Sequence, residues 1–188
     1  MKYILASGSE RRQELLHRIV EEFHTIVSDF DESQILFQND VAEFVKSLAR
    51  GKALSVKANI EEPSIIIGGD TVVFFENEIL GKPKSEEDAF NMLKKLSGKT
   101  HKVYSGVVVI NTENNKIEEE AIYTEVKFSE LNDEEIIAYI KTKEPMDKAG
   151  AYGIQGYGGV FVEEISGCYY NVVGLPLNLL NKMINKVK

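Results

Sequence analysis

Ile4-Leu5-Ala6-Ser7-Gly8-Ser9-Glu10-Arg11-Arg12-Gln13-Glu14-Leu15-Leu16 opens apolar, turns through small residues and then takes on helical spacing. It predicts a short strand over Lys2 to Ala6, a Ser-Gly-Ser turn, and a helix from Glu10 to about Ile19 with Leu15, Leu16 and Ile19 on one stripe. Such a turn leaves backbone N–H groups at the positive end of a helix, where an anion can bind. Arg11 and Arg12 follow at once, and arginine offers a planar fork of donors suited to phosphate. The chain has four arginines among 22 basic residues, and two of the four stand here. Basic residues in a first turn oppose the helix dipole. A phosphate site is one reason for them; a surface helix that merely starts with two bases is the other.

The chain has 188 residues, which fits one domain or two tightly joined lobes and is enough to bury a sizeable core. A hydrophobic fraction of 43% and a charged fraction of 28% place it among globular proteins. The net charge of -8 argues against a nucleic-acid polymer as partner, because that needs a basic footprint. A small anionic substrate remains compatible, since a local cluster of Arg and Lys reverses the field in one site. Cys168 is the only cysteine, which suits a reducing compartment. No apolar run approaches the roughly 20 residues that cross a bilayer. The N-terminus lacks the apolar length of a signal peptide. The expectation is a cytoplasmic protein with no membrane partner.

Outward from the opening stretch, Phe23 to Val27 alternates as a second strand. Ser28-Asp29-Phe30-Asp31-Glu32-Ser33 follows, and its three carboxylates within four residues either hold a hard cation or face solvent. Asp40-Val41-Ala42-Glu43 has the form of a capping box before a long helix to about Ala58, with Val41, Phe44, Val45, Leu48 and Ala49 inward. Gly51 inside this helix suggests a close approach by another group, and Lys52 beside it is a phosphate candidate.

Ser64 to Phe75 joins two unbroken apolar runs through Gly68-Gly69-Asp70-Thr71. Runs without alternation suggest a strand buried on both faces. A carboxylate there is expensive unless it is paired, bound to metal or open to a ligand, so Asp70 has the most suspicious context of any acid in the chain. The competing reading is a turn with Asp70 in solvent.

Gly81-Lys82-Pro83-Lys84 leads to a helix from about Ser85 to Leu96, and Lys82 is a further phosphate candidate beside a stiff proline. His101 to Ile110 and Ile117 to Phe128 read as a hairpin, and Asn132 starts another helix. Five of the 14 glycines fall between Gly150 and Gly159. Within that loop Gln155 can donate and accept at once, as the edge of a nucleobase requires. Val160 to Ile165 is a strand, and Pro176 starts a final helix.

Four motifs in order resemble the Maf-type nucleoside triphosphate pyrophosphatases. They are Leu5-Ala6-Ser7-Gly8-Ser9 with Arg11-Arg12; Gly69-Asp70-Thr71-Val72-Val73; Gly81-Lys82-Pro83 with Leu96-Ser97-Gly98 and His101; and Ala149-Gly150-Ala151-Tyr152-Gly153-Ile154-Gln155-Gly156 with Val173-Gly174-Leu175-Pro176. Glu10 stands where the family usually has proline and Gly69 where alanine is common; neither removes a chemical group. The resemblance implies one α/β domain over residues 1–188: a mixed twisted sheet with flanking helices and a deep cleft between two lobes, similar to inosine triphosphate pyrophosphatases. It implies cleavage of a nucleoside triphosphate to the monophosphate and pyrophosphate. The Ala-Tyr-Gly-Ile-Gln-Gly form is similar to the subgroup acting on dTTP and UTP, with modified pyrimidine nucleotides as further candidates.

By the same resemblance Asp70 accepts the proton of the attacking water, and Arg12, Thr71 and Gln155 set base preference. Ser7, Ser9, Arg11, Arg12, Lys52 and Lys82 would clamp the triphosphate. A divalent cation, Mg²⁺ or Mn²⁺, would be held by Glu32 and Asp70, and Asp70 is base, ligand or both. A homodimer fits the family. The alternatives are a pyrophosphatase for deaminated purines such as ITP, or a non-enzymatic nucleotide-binding regulator of septum formation.

Overall fold

Alternating apolar runs and capped helices produce a mixed α/β fold in the computed structural model, which describes all of residues 1–188. The strands are β1 (Lys2–Leu5), β2 (His24–Thr25), β3 (Ser64–Phe75), β4 (Glu78–Leu80), β5 (Thr100–Asn111), β6 (Ile117–Phe128) and β7 (Val162–Ser166). The helices are α1 (Glu10–Leu16), α2 (Val41–Lys57), α3 (Glu86–Leu96), α4 (Asp133–Lys141), α5 (Tyr169–Val173) and α6 (Leu177–Val187). The sheet has seven strands in the order β2-β1-β3-β5-β6-β7, with β4 paired to β3 off that path. β1 runs parallel to β2 and β3, whereas β4 and β7 run antiparallel to β3 and β6. No helix is long and apolar enough to cross a membrane.

The chain forms two compact units. One comprises Met1–Thr71, Ser105–Ile122 and Gly174–Lys188; the other comprises Val72–Tyr104 and Tyr123–Val173.

In the first unit, Ile4 and Ala6, Ile66 of β3, and Val108 and Ile110 of β5 pack against Ala49, Ala53 and Val56 of α2. Asp40 caps α2 by accepting from the N–H of Glu43 at 3.0 Å. The expected reciprocal bond is replaced: Glu43 instead pairs with Lys46 at 2.8 Å. The close approach expected at Gly51 is made by the Phe30 ring, which a Cβ there would meet at 2.4 Å. Two elements are shorter than their sequences suggest. α1 ends at Leu16, its chain continuing in single turns that bury Val20 and leave Ile19 half-buried. β2 keeps only His24 and Thr25, because its partner β1 ends at Leu5 and turns away through Ser7.

In the second unit, Val73, Phe75, Leu93, Leu96, Val126, Phe128, Ile136 and Phe161 form the core. Glu76 and Asn77, with φ of 48° and 64°, make the tight left-handed turn between β3 and β4. Asn132 and Glu135 form a complete capping box on α4. The short helix α5 has no sequence signal, since its five residues are too few to display a period.

Candidate functional site

β3 runs unbroken through Gly68 and Gly69, so Asp70 lies inside a strand and is 8% exposed; the solvent-turn reading of this stretch fails. Successive strand residues point to opposite faces. Gly68 faces α2, where a Cβ would lie 2.4 Å from the Ala49 carbonyl oxygen, and Asp70 shares that face. Gly69 and Thr71 face the other way, toward Arg12.

On the α2 side, Lys52 Nζ donates to Asp70 Oδ1 at 2.6 Å and lies 2.9 Å from Glu32 Oε1. Both Lys52 and Asp70 are mostly buried, while Glu32 is exposed. One ammonium group therefore bridges two carboxylates that are 38 positions apart in sequence. Glu32 reaches it from the single turn Glu32–Gln34, which Asp31 caps by accepting from Ser33. Asp29 points elsewhere and accepts from Ser55. The three acids of that loop thus do not gather on one cation, and no group of three or more His, Cys, Asp or Glu is arranged for a metal anywhere in the chain. Two carboxylates still fit Mg²⁺ or Mn²⁺, since such ions often take one or two protein carboxylates and complete their shell with substrate phosphates and water.

On the opposite face Arg12 is a hub. Its Nε donates to the Gly174 carbonyl at 2.9 Å, its Nη1 to Ser7 Oγ at 3.2 Å and its Nη2 to Thr71 Oγ1 at 3.2 Å. Ser9 is the N-cap of α1, accepting from the Arg12 N–H, and its own N–H donates to Ser7 Oγ at 3.2 Å. Thr71 Oγ1 lies 2.8 Å from Ser105 Oγ. Burial pulls the Arg12 guanidinium below its ordinary range; the charges of Asp70 and Glu32 oppose this and that of Arg11 adds to it. Asp70 and Glu32 therefore act on Arg12 electrostatically, although β3 presents Asp70 and Thr71 on different faces.

The first unit thus contains Ser7, Ser9, Arg11, Arg12, Glu32, Lys52, Asp70 and Thr71. Lys82 and Gln155 belong to the second unit, both exposed. Ser105 and the Gly174 carbonyl are additions that the sequence reading missed. Ser105 carried a usable signal, a hydroxyl within the apolar run of β5, the same kind of signal that exposed Asp70. A backbone carbonyl such as that of Gly174 carries none.

The sequence profile of the Maf-like protein family matches residues 2–187. The chain is 62% identical over 186 residues to a dTTP/UTP pyrophosphatase of Clostridium botulinum (strain Eklund 17B / Type B), covering 99% of each. It is 60% identical over 188 residues to a dTTP/UTP pyrophosphatase of Clostridium beijerinckii, covering 100% of each. Among solved structures, the Staphylococcus aureus Ham1 protein is similar with a TM-score of 0.52 and 15% identity, covering 100% of both chains; this is a likeness of fold alone.

Proposed function

Because this chain belongs to the Maf-like protein family, we propose that it hydrolyses dTTP and UTP to the nucleoside monophosphate and pyrophosphate. Water attacks the α-phosphorus, its oxygen stays on the monophosphate, and the bond from that phosphorus to the bridging α–β oxygen breaks. The proton of the water needs an acceptor, and Asp70 is our candidate. The observation that carries the reading is the buried Asp70 carboxylate held by Lys52, which also takes Glu32. A carboxylate so placed is expensive to bury, and a base for water gives it a use.

Lys52 would hold Asp70 in a fixed orientation and offer a point charge to a phosphate oxygen. Arg12, fixed by Ser7, Thr71 and Gly174, would add a constant positive charge facing the polyphosphate. Such chemistry is mostly positioning and charge neutralisation. Glu32 and Asp70 would hold the divalent cation, which supplies charge neutralisation at phosphate oxygens and a lowered pKa for water. The roles of Lys82 as a phosphate contact and Gln155 as a base contact rest on the resemblance. With a single, unpaired cysteine, Cys168, we place the enzyme in the cytoplasm.

The test is pyrophosphate release from UTP, dTTP and ITP with Mg²⁺ or Mn²⁺. Asp70→Asn should keep the fold by circular dichroism and lose at least about a hundredfold in turnover, the lower end of what a general base supplies. Near-normal turnover in that variant would remove Asp70 from the chemistry. Faster ITP cleavage would overturn the pyrimidine reading, and tight binding without product would overturn the enzymatic one.

A further inference from the structure

The second unit holds a carboxylate that the proposed chemistry leaves unused. Glu144 Oε1 accepts from the Tyr139 hydroxyl at 2.8 Å and from the N–H of Gly158 at 3.0 Å, and Oε2 accepts from the N–H of Tyr157 at 2.9 Å. The Tyr139 oxygen in turn accepts from the N–H of Gly153 at 3.1 Å. Lys148 Nζ donates to the Glu144 main-chain carbonyl at 2.8 Å, which fixes the base of the arrangement. Three backbone donors of one short segment therefore end on a single carboxylate, two directly and one through a hydroxyl.

The segment is shaped for this group. A Cβ on Gly156 would lie 2.1 Å from Glu144 Oε2, so only glycine lets the backbone come this close. Burial works against the ionised carboxyl, but the N–H groups of Gly158 and Tyr157, with Tyr139 and Lys148, outweigh it and hold Glu144 below its ordinary range. Hydrogen bonds to an ionised acceptor are stronger than neutral ones.

Gln155 is exposed and stands between the pinned residues Gly153 and Tyr157. A glycine-rich segment left to itself samples many backbone conformations, and ordering it at each binding event weakens affinity. We propose that Glu144 is a positioning residue: its carboxylate staples the Gly153 to Gly158 segment so that Gln155 is presented in one conformation, and the staple sets discrimination between pyrimidine and purine triphosphates. The proposal rests on the reading of this chain as a nucleotide pyrophosphatase with Gln155 as its base contact.

The experiment uses the full chain with Glu144→Gln and Tyr139→Phe. The amide of glutamine has one acceptor oxygen, so Glu144→Gln leaves a backbone N–H facing an NH₂ group. Tyr139→Phe removes the link to Gly153 and one donor to Glu144 Oε1, and leaves the Tyr157 and Gly158 donors in place. Two quantities are measured: hydrogen exchange of the Gly153, Tyr157 and Gly158 amides in the nucleotide-free protein, and kcat and KM for UTP and ITP. In Glu144→Gln, exchange at the three amides should rise about tenfold while the core strands stay protected. The UTP-to-ITP ratio of kcat/KM should fall about fivefold, mainly through the KM for UTP. Tyr139→Phe should speed exchange chiefly at Gly153 and lower the ratio less. Unchanged exchange, or faster exchange with an unchanged ratio in an active enzyme, overturns the staple. An unmodified chain that cleaves neither nucleotide overturns the pyrophosphatase reading itself, and the proposal falls with it.

Discussion

Among the buried residues His101 is the one whose charge folding decides. It is 1% exposed, its Nε2 shares a hydrogen bond with the Tyr152 hydroxyl at 2.8 Å, and its Nδ1 has no partner. The Phe128 and Tyr152 rings pack edge-on against it at 5.0 and 5.4 Å. Protonation would put a second N–H donor where no acceptor exists. Burial therefore lowers its pKa from 6.5 to about 4. Between those values the unfolded chain binds more protons than the folded one, so stability rises with pH across that window. The contribution is complete above about pH 6.5, is lost progressively as pH falls toward 4, and amounts to about 3 kcal/mol. Denaturant midpoints measured at pH 7 and pH 4.5 should differ accordingly, and His101→Phe should narrow the difference. The sequence placed His101 on a strand. It did not disclose the missing partner, because that depends on residues 27 and 51 positions further along.

At the scale of elements, the contact of α2 with β3 sets the geometry of the Lys52–Asp70 pair. Gly68 is where the two backbones come closest, with the Ala49 carbonyl in the place a Cβ would occupy. Gly68→Ala must push α2 outward, an overpacking that costs about 1–3 kcal/mol. Because Lys52 rides on α2, the same shift should lengthen its bond to Asp70 and lower turnover together with the unfolding midpoint. Urea unfolding alongside pyrophosphate release checks both, and a stable variant with full turnover would show that the helix can move without consequence. Much at this scale was legible beforehand. Asp40, Ser85 and Asn132 announce their helices because capping chemistry is local. β3 was legible because a strand covered on both faces needs an unbroken apolar run. The truncation of β2 was not, since an edge strand lasts only as long as its partner, and the end of β1 is set by the turn at Ser7.

For the molecule as a whole, a net charge of -8 forbids a general attraction to polyanions, even with Arg11, Arg12 and Lys52 in one unit. The protein should pass unretained through a heparin column at physiological salt; retention would reveal a basic surface larger than the candidate site. The boundaries of the two units were hidden in the sequence for a physical reason. The chain passes between the units inside strands at Thr71, Ser105 and Ile122, where the strand runs on without a linker; only the passage at Gly174 falls between two helices. Proximity in space joins Arg12 to the Gly174 carbonyl across 162 positions. On the ribosome, that guanidinium emerges 162 residues ahead of the carbonyl that receives its Nε–H. A chain truncated before residue 174 therefore keeps the Ser7 and Thr71 contacts of Arg12 but leaves its Nε–H without the Gly174 carbonyl, one corner of the lock left open.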